Sequence, residues 1–138
     1  DALVIGVADI KREGSDVTIV SFGKIIKEAY KAADELAKEN ISCEIIDLRT
    51  VRPMDHKTIL ESVKKTNRLV ILEEAWPFGN VSTEITYQVQ SQAFDYLDAP
   101  IEKINTADTP APYSPVLLKE WLPNSNDVIK AVNKVLYK

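Results

Sequence analysis

Short apolar, β-branched runs alternate along this chain with stretches of helical spacing, and that alternation confines it to one class of fold. Val17-Thr18-Ile19-Val20-Ser21-Phe22 ends at Gly23 and reads as a buried strand. Leu69-Val70-Ile71-Leu72-Glu73 shows no polar alternation, as expected for a central strand covered on both faces. Val7 to Lys11, Cys43 to Leu48 and Ile101 to Ile104 complete the set. Between them lie helical patterns. Ile25, Ala29, Ala33 and Leu36 share one face of a helix from about Lys24 to Glu39, which Asn40 ends. Asp55 is a good N-cap for a helix to about Lys65, with Ile59, Leu60 and Val63 inward. Asn80 can cap another, with Val81, Ile85 and Val89 four apart. A last helix runs from about Ser125 to Leu136. Strands separated by helices imply right-handed βαβ crossovers, and so a mostly parallel sheet with helices on both faces.

Composition agrees. The chain has 138 residues, 45% hydrophobic and 28% charged, which is one globular domain rather than a disordered segment. A chain of this size buries about two-thirds of its unfolded surface, enough for a core without staples. No apolar run is long enough for a transmembrane helix, and the opening has no secretory-signal pattern. The chain also lacks a starting Met, so it is expected to be a piece of something longer. A net charge of −4 argues against nucleic-acid binding. The single Cys43 excludes an internal disulfide and reads as a small core hydrophobe, which fits a reducing compartment.

In sheets of this kind ligands bind beyond the carboxyl ends of the strands. Four glycines, none close to another, leave no GxGxxG, no P-loop and no nucleophile elbow there. The acids of a phosphoacceptor domain are missing after Val17–Phe22. His56, the only histidine, reads as a solvated first-turn residue, and a metal site is weak. Glu73 and Glu74 are neighbours at a strand end, so they point to opposite faces and make no acid/base pair. One of them is expected to cap a helix or to pair with Arg49 or Arg52. Five prolines between positions 100 and 123 mark an ordered loop crossing a surface or a partner. Trp76, Phe78, Tyr113 and Trp121 are loop aromatics, suited either to satellite core or to a subunit interface.

Four blocks then carry a specific resemblance: REGSDVTIVSFG (12–23), CEIIDLRTVRPMD (43–55), SVKKTNRLVILEEAWPFG (62–79) and AFDYLDAPIEKINTADTPAPY (93–113). In order, and over essentially the whole chain, they resemble the C-terminal domain of pyruvate dehydrogenase beta subunits, within the wider transketolase C-terminal domain family. The resemblance implies a three-layer α/β/α sandwich. Its five-stranded, mostly parallel sheet would have one antiparallel edge strand, matched by Val7 to Lys11. It implies that thiamine diphosphate and Mg lie between the alpha subunit and a preceding pyrimidine-binding domain of the beta subunit, whose residues this segment lacks. The fragment alone is then expected to be inert, with no catalytic, cofactor or metal residue of its own. Its role would be assembly, with a second beta subunit and the alpha subunit, and docking of the subunit-binding domain of the dihydrolipoyl acyltransferase. Family position assigns that docking to Asp98, in LDAP, and to the carboxylate of Lys138, whose own side chain would weaken attraction for a basic partner. Trp76, Pro77, Phe78, Tyr113 and Trp121 are the expected interface residues. A bacterial cytoplasm is implied, or alternatively a mitochondrial matrix. The alternatives are the same domain of a branched-chain 2-oxoacid or acetoin dehydrogenase, or a stand-alone regulatory ligand-binding domain using Arg49, Glu73 and Glu74.

Overall fold

The computed structural model describes residues 2–138. Five strands form one sheet: β1 (Asp9–Arg12), β2 (Val17–Ser21), β3 (Cys43–Asp47), β4 (Leu69–Leu72) and β5 (Glu102–Ile104). Their order is β1-β3-β2-β4-β5. β1 lies antiparallel on β3 at one edge, and every other pairing is parallel. The mostly parallel sheet with one antiparallel edge strand is therefore present. The edge strand begins two residues later than the sequence pattern indicates. Val7 N–H closes a turn onto the Val4 carbonyl, and Ala8 N–H is taken by the Asp55 carboxylate at 3.0 Å, so pairing starts only at Asp9.

The helices are α1 (Ile26–Lys38), α2 (His56–Thr66), α3 (Val81–Ala93), α4 (Pro115–Trp121) and α5 (Ser125–Val135), with a 3₁₀ turn at Phe94–Tyr96. The two-residue period of the strands divides the core. Val17, Ile19, Cys43, Ile45, Val70 and Leu72 pack with α1 and α5 on one face. Val20, Ile46, Leu69 and Ile71 pack with α2 and α3 on the other. Cys43 is buried in the first of these layers, and burial pushes its thiol up to about 11.

Local chemistry fixes the helix ends. Asp55 accepts the Thr58 N–H at 3.1 Å and Asn80 the Thr83 N–H at 3.4 Å. Asn124 and Asp127 form a reciprocal capping box. Asn40 and Asn67 take the left-handed conformation after α1 and α2. Gly14 is required by contact: a Cβ there would meet the Cys43 carbonyl carbon at 2.2 Å. That approach lets the Gly14 N–H reach Glu44 at 3.2 Å. Glu44 is buried on the α2 face, where Ser62 and Lys65 also donate to it, and the Thr18 hydroxyl lies 2.7 Å from those of both Ser62 and Thr66.

The proline-rich stretch holds a helix that proline counting hides. Pro115 occupies the first turn of α4, where a missing N–H costs nothing. Leu122 is already extended before Pro123, which ends α4 after seven residues.

Candidate functional site

The carboxyl ends of the strands are committed to structure. Ser21 Oγ donates to the Leu72 carbonyl at 2.8 Å. Arg49 lies just past β3 in the left-handed conformation, and its guanidinium pairs with Asp9 at 2.6 Å. Glu73 is fully buried: it accepts from Ser82 Oγ at 2.5 Å, from the Ser82 N–H at 3.2 Å and from Asn105 Nδ2 at 2.7 Å. Of the two roles expected for this acidic pair, Glu73 takes the capping one, at the start of α3, while Arg49 goes to Asp9. Glu74 is exposed. His56 is half-buried in the first turn of α2. Among the described residues no three His, Cys, Asp or Glu side chains converge so as to hold a metal ion. A buried, fully engaged Glu73 and strand ends without a glycine-rich turn do not fit a diphosphate–magnesium group.

The loops beyond those ends carry an aromatic surface. Trp76 and Trp121 both donate their indole N–H to the Thr109 carbonyl, each at 2.9 Å. Thr106 N–H to Ala75 and Ala107 N–H to Trp121 fasten the same loop. Pro77 offers its carbonyl to Lys103 Nζ at 2.9 Å. Around this clamp the apolar groups face outward: Trp76 is 50% exposed, Phe78 90% and Tyr113 103%, beside exposed Val116 and Leu117. Trp121 is half-buried.

A second cluster gathers around Asp98. The chain leaves α3 through the 3₁₀ turn, and Asp98 N–H then bonds to the Asn67 carbonyl at 2.8 Å, with Asn67 Nδ2 on the Tyr96 carbonyl at 2.8 Å. Ala99 anchors the segment in the core. The Asp98 side chain stays 57% exposed, with the Arg68 guanidinium 3.9 Å away. Arg68 Nε in turn holds the Val135 carbonyl at 3.1 Å. Tyr137, in the left-handed conformation past α5, donates its phenol to the Asp98 carbonyl at 3.2 Å. Lys138 is exposed, and its N–H bonds to Asn133 at 2.9 Å. A cleft of about 470 Å³ opens here, lined among others by Gln90, Phe94, Leu97, Asp98, Ile101 and Tyr137. Sequence reasoning singled out Asp98 and Lys138 but not Arg68, Phe94 or Tyr137. An exposed tyrosine beyond the last helical turn carries no periodic signal.

Comparison with known proteins follows the same lines. The family model for the transketolase C-terminal domain matches residues 6–128. The chain is 53% identical over 137 residues to the pyruvate dehydrogenase E1 component subunit beta of Rickettsia felis, covering 99% of this chain and 42% of that protein. For the same subunit of Rhizobium meliloti the identity is 55% over 136 residues, covering 99% and 30%. For the mitochondrial subunit beta-2 of Oryza sativa subsp. japonica it is 47%, covering 99% and 36%. Among solved structures, a split-gene transketolase described as an inactive beta4 tetramer superimposes with a TM-score of 0.84 at 27% identity, covering 98% of this chain and 43% of that one. The chain thus spans less than half the length of these relatives.

Proposed function

The chain belongs to the transketolase C-terminal domain family, and from that premise we propose that it is the C-terminal assembly and docking domain of a pyruvate dehydrogenase beta subunit. In this reading the full protein, with thiamine diphosphate and Mg, decarboxylates pyruvate and acetylates lipoyl groups. No residue of this segment is assigned to the cofactor. The partners are a second beta subunit, the alpha subunit and the subunit-binding domain of the acyltransferase. Relatives from Rickettsia and from plant mitochondria support a bacterial cytoplasm or a mitochondrial matrix as the compartment. No helix among the described residues is long and apolar enough to cross a membrane.

One observation carries the docking role: the Tyr137–Asp98 hydrogen bond, which brings the last turn of the chain onto the LDAP loop. It places an exposed carboxylate beside an apolar cleft, the combination that receives a basic side chain together with an apolar neighbour. The exposed aromatics Trp76, Phe78 and Tyr113, with Pro77 and the half-buried Trp121, supply the surface for subunit contact. The test uses the full-length beta subunit assembled with its alpha subunit. Pyruvate should be turned over in preference to branched-chain 2-oxoacids. Asp98→Ala should slow association of the subunit-binding domain at low salt and much less at high salt. Preference for a branched-chain acid overturns the substrate, and unchanged rates at both salt concentrations overturn the docking role.

A further inference from the structure

Arg68 reaches both halves of the Asp98 cluster. Its Nε donates to the Val135 carbonyl at 3.1 Å, on the final residue of α5. That bond aims the guanidinium, whose Nη2 then stands 3.9 Å from Asp98 Oδ2. The loop on the other side is fixed independently, by the Asp98 N–H on the Asn67 carbonyl at 2.8 Å. So two rigid elements set the spacing of the charges, not the charges themselves. At 3.9 Å there is no bidentate pairing, which would need contacts below about 3 Å. The carboxylate therefore keeps its acceptor positions open to solvent while a fixed positive charge beside it cancels part of its field.

We propose that Arg68 is a built-in counter-charge that sets how strongly the Asp98 site attracts a cationic partner. The inference rests on the docking reading of Asp98 and adds a residue that tunes it. An arriving Arg or Lys side chain takes the open face of the carboxylate and approaches through a potential that Arg68 has lowered. Encounter rates follow that potential, so the guanidinium throttles association rather than forming part of the bound contact. A merely structural strut between α5 and the loop would behave in the opposite way: removing it would loosen the site and slow docking at every salt concentration.

The experiment measures association of the acyltransferase subunit-binding domain with the complete alpha–beta assembly, at low and high salt. It compares wild type with Arg68→Gln, Arg68→Lys, Asp98→Asn and the Arg68→Gln/Asp98→Asn double variant. Arg68→Gln should associate about three-fold faster at low salt, and the gain should vanish at high salt. A gain of similar size should remain in the Asp98→Asn background, because the fields of separate charges add. Arg68→Lys, which keeps the charge and gives up the Nε bond, should match wild type. Unchanged or slower association of Arg68→Gln, with Asp98→Asn still slowing docking, overturns the inference and leaves the docking reading standing. Unchanged rates in Asp98→Asn overturn both. If Arg68→Gln does not assemble, Arg68→Lys decides: wild-type rates support the counter-charge, and slowed rates at both salts overturn it.

Discussion

The phenol of Tyr137 donates to the main-chain carbonyl of Asp98 at 3.2 Å, which joins two segments 39 residues apart in sequence. The bond is made by a side chain that is itself largely exposed. It adds little to global stability and much to where the end of the chain lies. Tyr137→Phe should therefore cost at most about 1 kcal/mol in urea unfolding. Its effect should instead be seen in docking, as faster dissociation of the subunit-binding domain. Equal dissociation rates for Tyr137→Phe and wild type would remove this bond from the docking site.

Trp76 and Trp121 are the only tryptophans in the chain, and both end on Thr109, so intrinsic fluorescence reports this one clamp. The exposed aromatics around it predict self-association of the chain, because contiguous apolar patches larger than a few hundred Å² are rare on monomers. Phe78→Ser and Tyr113→Ser should each weaken the association about tenfold or more. Both side chains are too exposed to matter to the fold, so unfolding free energy should move by no more than about 0.5 kcal/mol. Sedimentation velocity checks the first effect and urea unfolding the second. A monomeric wild type across the concentration range would refute the prediction.

How far the residues alone lead is visible in particular places. The strand and helix pattern was readable because period two and period 3.6 are local signals, and Asp55 and Asn80 cap the helices their spacing indicated. α4 was not readable: Pro115 starts it and Pro123 follows it, and a count of prolines does not separate those helix-compatible positions from a loop. The fate of Glu73 depended on Asn105, 32 residues on, and on Ser82 after an intervening turn. The role of Arg68 depended on Val135, 67 residues on. Such contacts come from the closed sheet and its packed helices, and no spacing rule reaches them.

The strand ends give a cofactor prediction. With Glu73 buried against Ser82 and Asn105, and Arg49 held by Asp9, no diphosphate cradle is left there. Calorimetric titration of the isolated chain with thiamine diphosphate and Mg²⁺ should show no micromolar binding. The full-length beta subunit with its alpha subunit should bind under the same conditions. Micromolar heats from the isolated chain would contradict this.

A buried carboxylate, Glu44, and a half-buried one, Asp55, predict the acid response. Burial pushes the Glu44 carboxyl up, but Lys65, Ser62 and the Gly14 N–H together hold it below its ordinary value of 4.5. Burial acts the same way on Asp55, and the Thr58 hydroxyl and the Ala8 and Thr58 N–H groups outweigh it, leaving the carboxyl below 3.8. A carboxyl held low in the folded chain is ionised there while the unfolded chain takes up a proton. Its contribution is therefore complete above the ordinary carboxylate value and is lost as pH falls through the lowered folded one. Urea unfolding should show stability level from pH 7 to about 5.5 and falling steadily below about pH 4.5. Asp55→Asn, which weakens a helix cap and the hold on Ala8, should cost about 0.5–2 kcal/mol at pH 7. Glu44→Gln should cost about 1–3 kcal/mol there, because its buried bonds lose their charge. Each variant should also flatten the acid limb, since the removed carboxyl no longer takes up a proton on unfolding. Variants that are less stable at pH 7 but keep the wild-type slope below pH 4.5 would assign the acid response to other carboxylates.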